Sequence, residues 1–129
     1  MTIELFCLLA LALWSIPLNY FPTLGRFLVG GIEWGLSNRD TLPDTAPWVA
    51  RADRAQRNHW ENFPMIAVVI LLLFITDQSN GLTEKLAIAL LAFRVLHAAF
   101  YIIGIPLLRS FAFVGALLAL FGLVWQLLV

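Results

Sequence analysis

Charge is what this chain has least of. Acidic and basic residues fill only 12% of its 129 positions, against about a quarter in a soluble domain. That deficit, with 61% hydrophobic residues and a mean hydropathy of +0.88, excludes an ordinary soluble fold and leaves an integral membrane protein. Net charge is also missing: eight basic residues balance eight acidic ones, so nothing points to nucleic acid as a partner. A single cysteine, Cys7, excludes an internal disulfide framework. No Cys/His cluster suggests a metal, no glycine-rich loop suggests a nucleotide site, and no Ser-His-Asp set is evident. The apolar N-terminal run carries Glu4 where a signal peptide has basic residues, and no small-x-small cleavage site follows it, so a retained helix is expected.

What the chain does have is long apolar runs. A bilayer core of about 30 Å asks for about 20 mostly apolar residues per helix, and four segments qualify. They are Ile3 to about Val29, with kinks expected at Pro17 and Pro22; Pro47 to about Thr76, starting from an Asp44 or Thr45 cap; Thr83 to Gly104; and Ser110 to Leu128. Between them lie a polar connection from Gly30 to Trp48, the turn Asp77–Gly81, and a short link through Pro106 and Arg109. The fold class is therefore all-α, a four-helix membrane bundle in one domain over residues 1–129. Arg26, Arg39, Arg51, Arg54, Arg57 and Arg109 fall at one end and Lys85 at the other. The arginine-rich end is expected to face the cytoplasm, with both termini on the opposite side.

The scarce charges are not scattered. Arg51, Arg54, Asn58 and Glu61 sit at offsets of 0, 3, 7 and 10, which puts them on one helical stripe. Asp53–Arg57 and Arg57–Glu61 have the spacing of helical ion pairs. A solvated helix end is one reading, but Asn58, Glu61 and Asn62 immediately precede fourteen uncharged positions from Phe63. Ionisable groups at that depth normally face a bundle interior or a wet cavity. In the third segment Arg94, His97 and Tyr101 repeat the pattern, and mid-membrane Arg94 calls for a carboxylate, for which Glu61 is the obvious structural partner. His59 lies off the first stripe beside Trp60 and reads as interfacial. Pro64 frees the Trp60 carbonyl and is expected to bend the second helix.

These residues resemble the signature of the membrane-associated proteins in eicosanoid and glutathione metabolism, the MAPEG family. "RADRAQRNHWENFP" matches the second-helix pattern, and "FRVLHAAFYIIGIPLLRS" is similar to the third helix with the arginine that follows it. The resemblance implies a homotrimer of four-helix subunits with glutathione, the co-substrate, held between neighbours. By position it implies that Arg51, Arg54, Gln56, Asn58 and Glu61, with His97 and Tyr101 of the adjacent subunit, hold the peptide. It also implies that Arg109 faces the sulfur as the catalytic residue. Two carboxylates and an ammonium suit paired arginines and one glutamate. The acceptor would be a lipophilic small molecule, an electrophile or hydroperoxide arriving through the bilayer. Asn62 stands where leukotriene-forming members carry a tyrosine, and Ala50 replaces an acidic residue, which argues against a dedicated eicosanoid synthase. The alternative within the family is a non-catalytic lipid-binding or scaffold protein. A small transporter or channel subunit rests on Arg94 alone.

Overall fold

Four helices account for nearly all of the chain in the computed structural model, which describes residues 1–129. They are α1 (Ile3–Leu36), α2 (Pro47–Ile75), α3 (Gly81–Ile103) and α4 (Pro106–Leu128). Each is long and apolar enough to cross a membrane, and a helix satisfies its own backbone there. The protein is a multi-pass integral membrane protein.

Helix ends follow local chemistry, and several differ from the sequence expectation. α2 and α4 both begin on proline, which has no N–H to leave unbonded and a dihedral already set for the helix. α4 therefore starts before the expected Ser110, and Arg109 belongs to the helix rather than to the connection: its N–H donates to the Ile105 carbonyl at 3.0 Å. Neither Asp44 nor Thr45 caps α2; the cap position is Ala46, which offers no side-chain bond. α3 starts at Gly81 rather than Thr83 because Asn80 builds a capping box. Its side chain accepts from the Leu82 and Thr83 N–H groups at 2.9 and 3.2 Å, and its own N–H donates to Thr83 Oγ1 at 2.8 Å. At the far end Gly104 takes the left-handed conformation (φ 91°) that stops α3. α1 runs past Val29 to Leu36, and its one non-helical residue is Gly31 (φ 68°). The break lies there, while Pro17 and Pro22 stay within helical backbone.

The packing is centred on α2 and α3. α4 lies most extensively on α3 and α1 on α2, while α1 and α4 do not meet. Leu11, Ile66, Ile70, Leu73, Leu90, Leu120 and Leu123 form the main core. Because lipid is as apolar as leucine, close contact rather than water release must hold the helices together. The α3–α4 seam shows how: Ala112, Ala116 and Ala119 are buried, and a Cβ on Gly115 would come within 2.8 Å of the Phe93 ring. Only 26 of 129 residues are buried, so most large apolar side chains face outward for lipid or other chains to cover. The α1–α2 and α3–α4 connections share one end of the bundle, and this end carries the arginines.

Candidate functional site

At the arginine-rich end, the first turns of α2, the last turn of α3 and the start of α4 enclose an open cleft of about 190 Å³. Its polar lining is Arg51, Arg54, Tyr101 and Arg109. Arg51 donates from Nε to the Ile102 carbonyl at 2.9 Å, so it also closes the carbonyl end of α3, where a cation is favoured. The glycine at 104 eases this fit, since a Cβ there would sit 3.1 Å from Arg51 Cζ. Arg54 and Arg109 lie over the Tyr101 ring, with Cζ 5.9 and 4.7 Å from its centroid. Arg109 stands in the first turns of α4, where the helix dipole disfavours a cation. Its position thus adds to a positive field that an anion would relieve.

No carboxylate neutralises that field. The protein's single ion pair joins Arg26 of α1 to Asp53 of α2. The expected helical pairs Asp53–Arg57 and Arg57–Glu61 are not formed: Asp53 turns to α1, and Arg57 and Glu61 are exposed.

The Arg94–Glu61 pair is not formed either. Arg94 is 3% exposed and donates Nη1 to Asn58 Oδ1 at 2.9 Å and Nη2 to the Asn58 carbonyl at 3.1 Å. At 3.6 residues per turn Glu61 lies about 60° further round α2 than Asn58, turned out of the bundle. Energetically the carboxylate is dispensable. Placing an arginine at mid-membrane costs about 2.5–3.5 kcal/mol on insertion scales, and hydrogen bonds to a charged group return about 1.5–3 kcal/mol each.

The remaining candidates distribute around these two layers. His97 is buried beneath the cleft. Its Nδ1 donates to the Arg109 carbonyl at 3.0 Å, and its ring meets Tyr101 edge-on at 5.6 Å. Gln56 faces α1, where its amide and the Trp60 indole both donate to Asn19 Oδ1 at 2.9 Å. Of the α3 stripe Tyr101 alone lines the cleft, where it underlies two guanidiniums; deeper in the bundle His97 holds the Arg109 backbone and Arg94 holds Asn58.

His59 is not interfacial. It is 2% exposed and its Nε2 is 2.8 Å from Ser15 Oγ of α1. The signal was in the apolar pattern: Ala52, Ala55, His59 and Ile66, at offsets of 0, 3, 7 and 14, form the buried face of α2. Sequence reasoning also missed Gly104, which lines the cleft, and Asn19, which holds Gln56 and Trp60 on the α1 side.

A model of the MAPEG family matches residues 4–129, nearly the whole chain. The chain belongs to this family. No curated protein matches it.

Proposed function

We propose that this MAPEG protein is a glutathione-dependent transferase, or peroxidase-like enzyme, acting on lipophilic electrophiles as a homotrimer in the membrane. The observation that carries this reading is the cleft itself: three guanidiniums, those of Arg51, Arg54 and Arg109, with no carboxylate among its lining residues. Family members generally use glutathione, and its two carboxylates and thiolate would supply the missing negative charge. Exposed Glu61, on the outer edge of the same helix, suits the peptide's ammonium group. Arg54, Arg57 and Glu61 are exposed on one helix just where its lipid-spanning part begins, which favours covering that face with a second subunit. The same exposure supports a site shared between subunits.

In the transferase reaction the sulfur must be ionised to attack. A free thiol has a pKa of about 8.5, and a nearby cation raises the thiolate fraction at neutral pH. Arg109 and the N-terminus of α4 together provide that field. The thiolate then forms a C–S bond to the electrophilic carbon, and the leaving group departs with its electron pair. With a hydroperoxide, two glutathiones become the disulfide while the hydroperoxide becomes an alcohol and water. The arginine-rich end would face the cytoplasm, where the peptide is available. The lipophilic partner would enter from the bilayer; on the outward face of α4, turned away from Arg109, Leu107, Phe111 and Val114 line an exposed apolar groove of about 200 Å³.

That groove also favours a second reading, a lipid-binding protein that transfers nothing. Glutathione titrated into the detergent-solubilised protein separates them. The enzyme reading expects saturable binding, thiolate absorbance at neutral pH and conjugation of a chlorodinitrobenzene-type electrophile. Fatty-acid binding with no heat from glutathione would instead select the second.

A further inference from the structure

Buried Arg94 has no place in the chemistry just described, yet it makes the most specific polar contact inside the bundle. We propose that Arg94 is a positioning residue: it fixes the Asn58 side-chain amide so that Asn58 can act on a ligand only as a hydrogen-bond donor. The proposal rests on the reading of the cleft as a glutathione site.

A guanidinium has donors and no acceptor. With Arg94 Nη1 2.9 Å from the Asn58 amide, the oxygen must face Arg94, and Nδ2 must point the other way. The backbone at the same residue is held as firmly. The Asn58 carbonyl, already the helical acceptor for residue 62, also accepts from Arg94 Nη2 at 3.1 Å and from Asn62 Nδ2 at 2.8 Å. Asn58 is half-buried on the stripe that also carries Arg51 and Arg54, and its Nδ2 donates to no group in the subunit. An unclamped amide would offer oxygen or nitrogen with little preference. The clamped one offers an N–H and therefore selects acceptors: a carboxylate, a peptide carbonyl or a thiolate. Arg94 is too deeply buried to touch the ligand itself, so its influence on binding passes through Asn58.

The test uses glutathione calorimetry and melting temperature on the solubilised wild type, Asn58→Asp, Asn58→Ala, Arg94→Gln and the double variant Asn58→Ala/Arg94→Gln. Asn58→Asp keeps an acceptor toward Arg94 and makes the contact ionic, but it replaces the outward donor with an oxygen. Its melting temperature is expected to hold or rise while glutathione affinity falls about tenfold or more, as expected when a site's donor is lost. Arg94→Gln is expected to weaken glutathione by a similar factor, and the double variant to bind no worse than Asn58→Ala. Losses that multiply in the double variant, or wild-type affinity in Asn58→Asp, overturn the assignment. Because Arg94→Gln could fail to fold, unchanged affinity in Asn58→Asp suffices on its own to overturn the assignment. Wild-type protein that does not bind glutathione sinks the glutathione reading and this assignment with it; wild-type binding left unchanged by Asn58→Asp sinks this assignment alone.

Discussion

At the end of the bundle that carries the termini, Glu4 is 1% exposed and its Oε1 accepts from Thr83 Oγ1 at 2.5 Å. Thr83 is itself half of the α3 capping box, and Asn80, the other half, donates from Nδ2 to Gln126 of α4 at 3.2 Å. Glu4 thus ties the start of α1 to the start of α3, and Asn80 links the α2–α3 turn to the end of α4. At the opposite end Arg51, Arg54 and Arg109 surround a cleft and meet no carboxylate. The contrast separates two uses of polarity in a membrane bundle. Where the groups bond one another they join elements, although Glu4 Oε2 keeps no partner; where they are left open they are free to meet a ligand. Charge sign follows the same division, since the closed knot is acidic and the open cleft basic.

The largest effect expected from this contrast is at the open end. Arg109→Ala should lower the conjugation rate about 10²-fold, the scale seen when one preorganised stabilising donor is removed from an active site. Thiolate absorbance should fall with it, while the melting temperature stays within a degree or two of wild type. A large drop in melting temperature with an unchanged rate would place Arg109 among the joining groups and break the comparison. Next in size is the closed end. Thr83→Val keeps the shape but removes the hydroxyl, leaving Glu4 Oε1 and the Asn80 N–H without their partner. A loss of about 1–3 kcal/mol in stability is expected from a buried group left unsatisfied, with glutathione affinity and turnover unaffected. A change in turnover would mean that the two ends are coupled.

Much of the open end was legible in the sequence because its residues obey helical arithmetic. Arg51 and Arg54 share a stripe, Arg94, His97 and Tyr101 share another, and the cleft joins the two where α2 meets α3. What failed was partner choice. A rule that pairs opposite charges assigned Glu61 to Arg94, whereas geometry gave Arg94 the amide of Asn58, because spacing along one helix does not reveal which edge faces the next. His59 was misplaced for a related reason: its stripe is defined by alanines and isoleucine rather than by polar neighbours. The closed end was nearly illegible. Glu4 and Thr83 are 79 positions apart, and no local pattern announces a contact of that range. The α4 start was readable in principle, since a proline at the first helical position is a start signal, and it would have moved Arg109 into the helix.

The smallest effect sharpens the comparison with a change of solvent alone. Arg54 is exposed and Arg51 and Arg109 half-buried, so their attraction for a carboxylate operates partly through water. Raising sodium chloride from about 0.1 M to about 1 M shortens the Debye length from about 10 Å to about 3 Å. Glutathione affinity should fall by roughly threefold to tenfold over that range, which is about 0.6–1.4 kcal/mol. The contribution of the Glu4–Thr83 contact should not move, because it is buried and involves no second charge. Measured as the difference in melting temperature between wild type and Thr83→Val, it should be the same at both salt concentrations. Glutathione binding indifferent to salt would mean that the tripeptide is held by buried contacts rather than by the open arginines, and the cleft would lose its claim to the peptide's carboxylates.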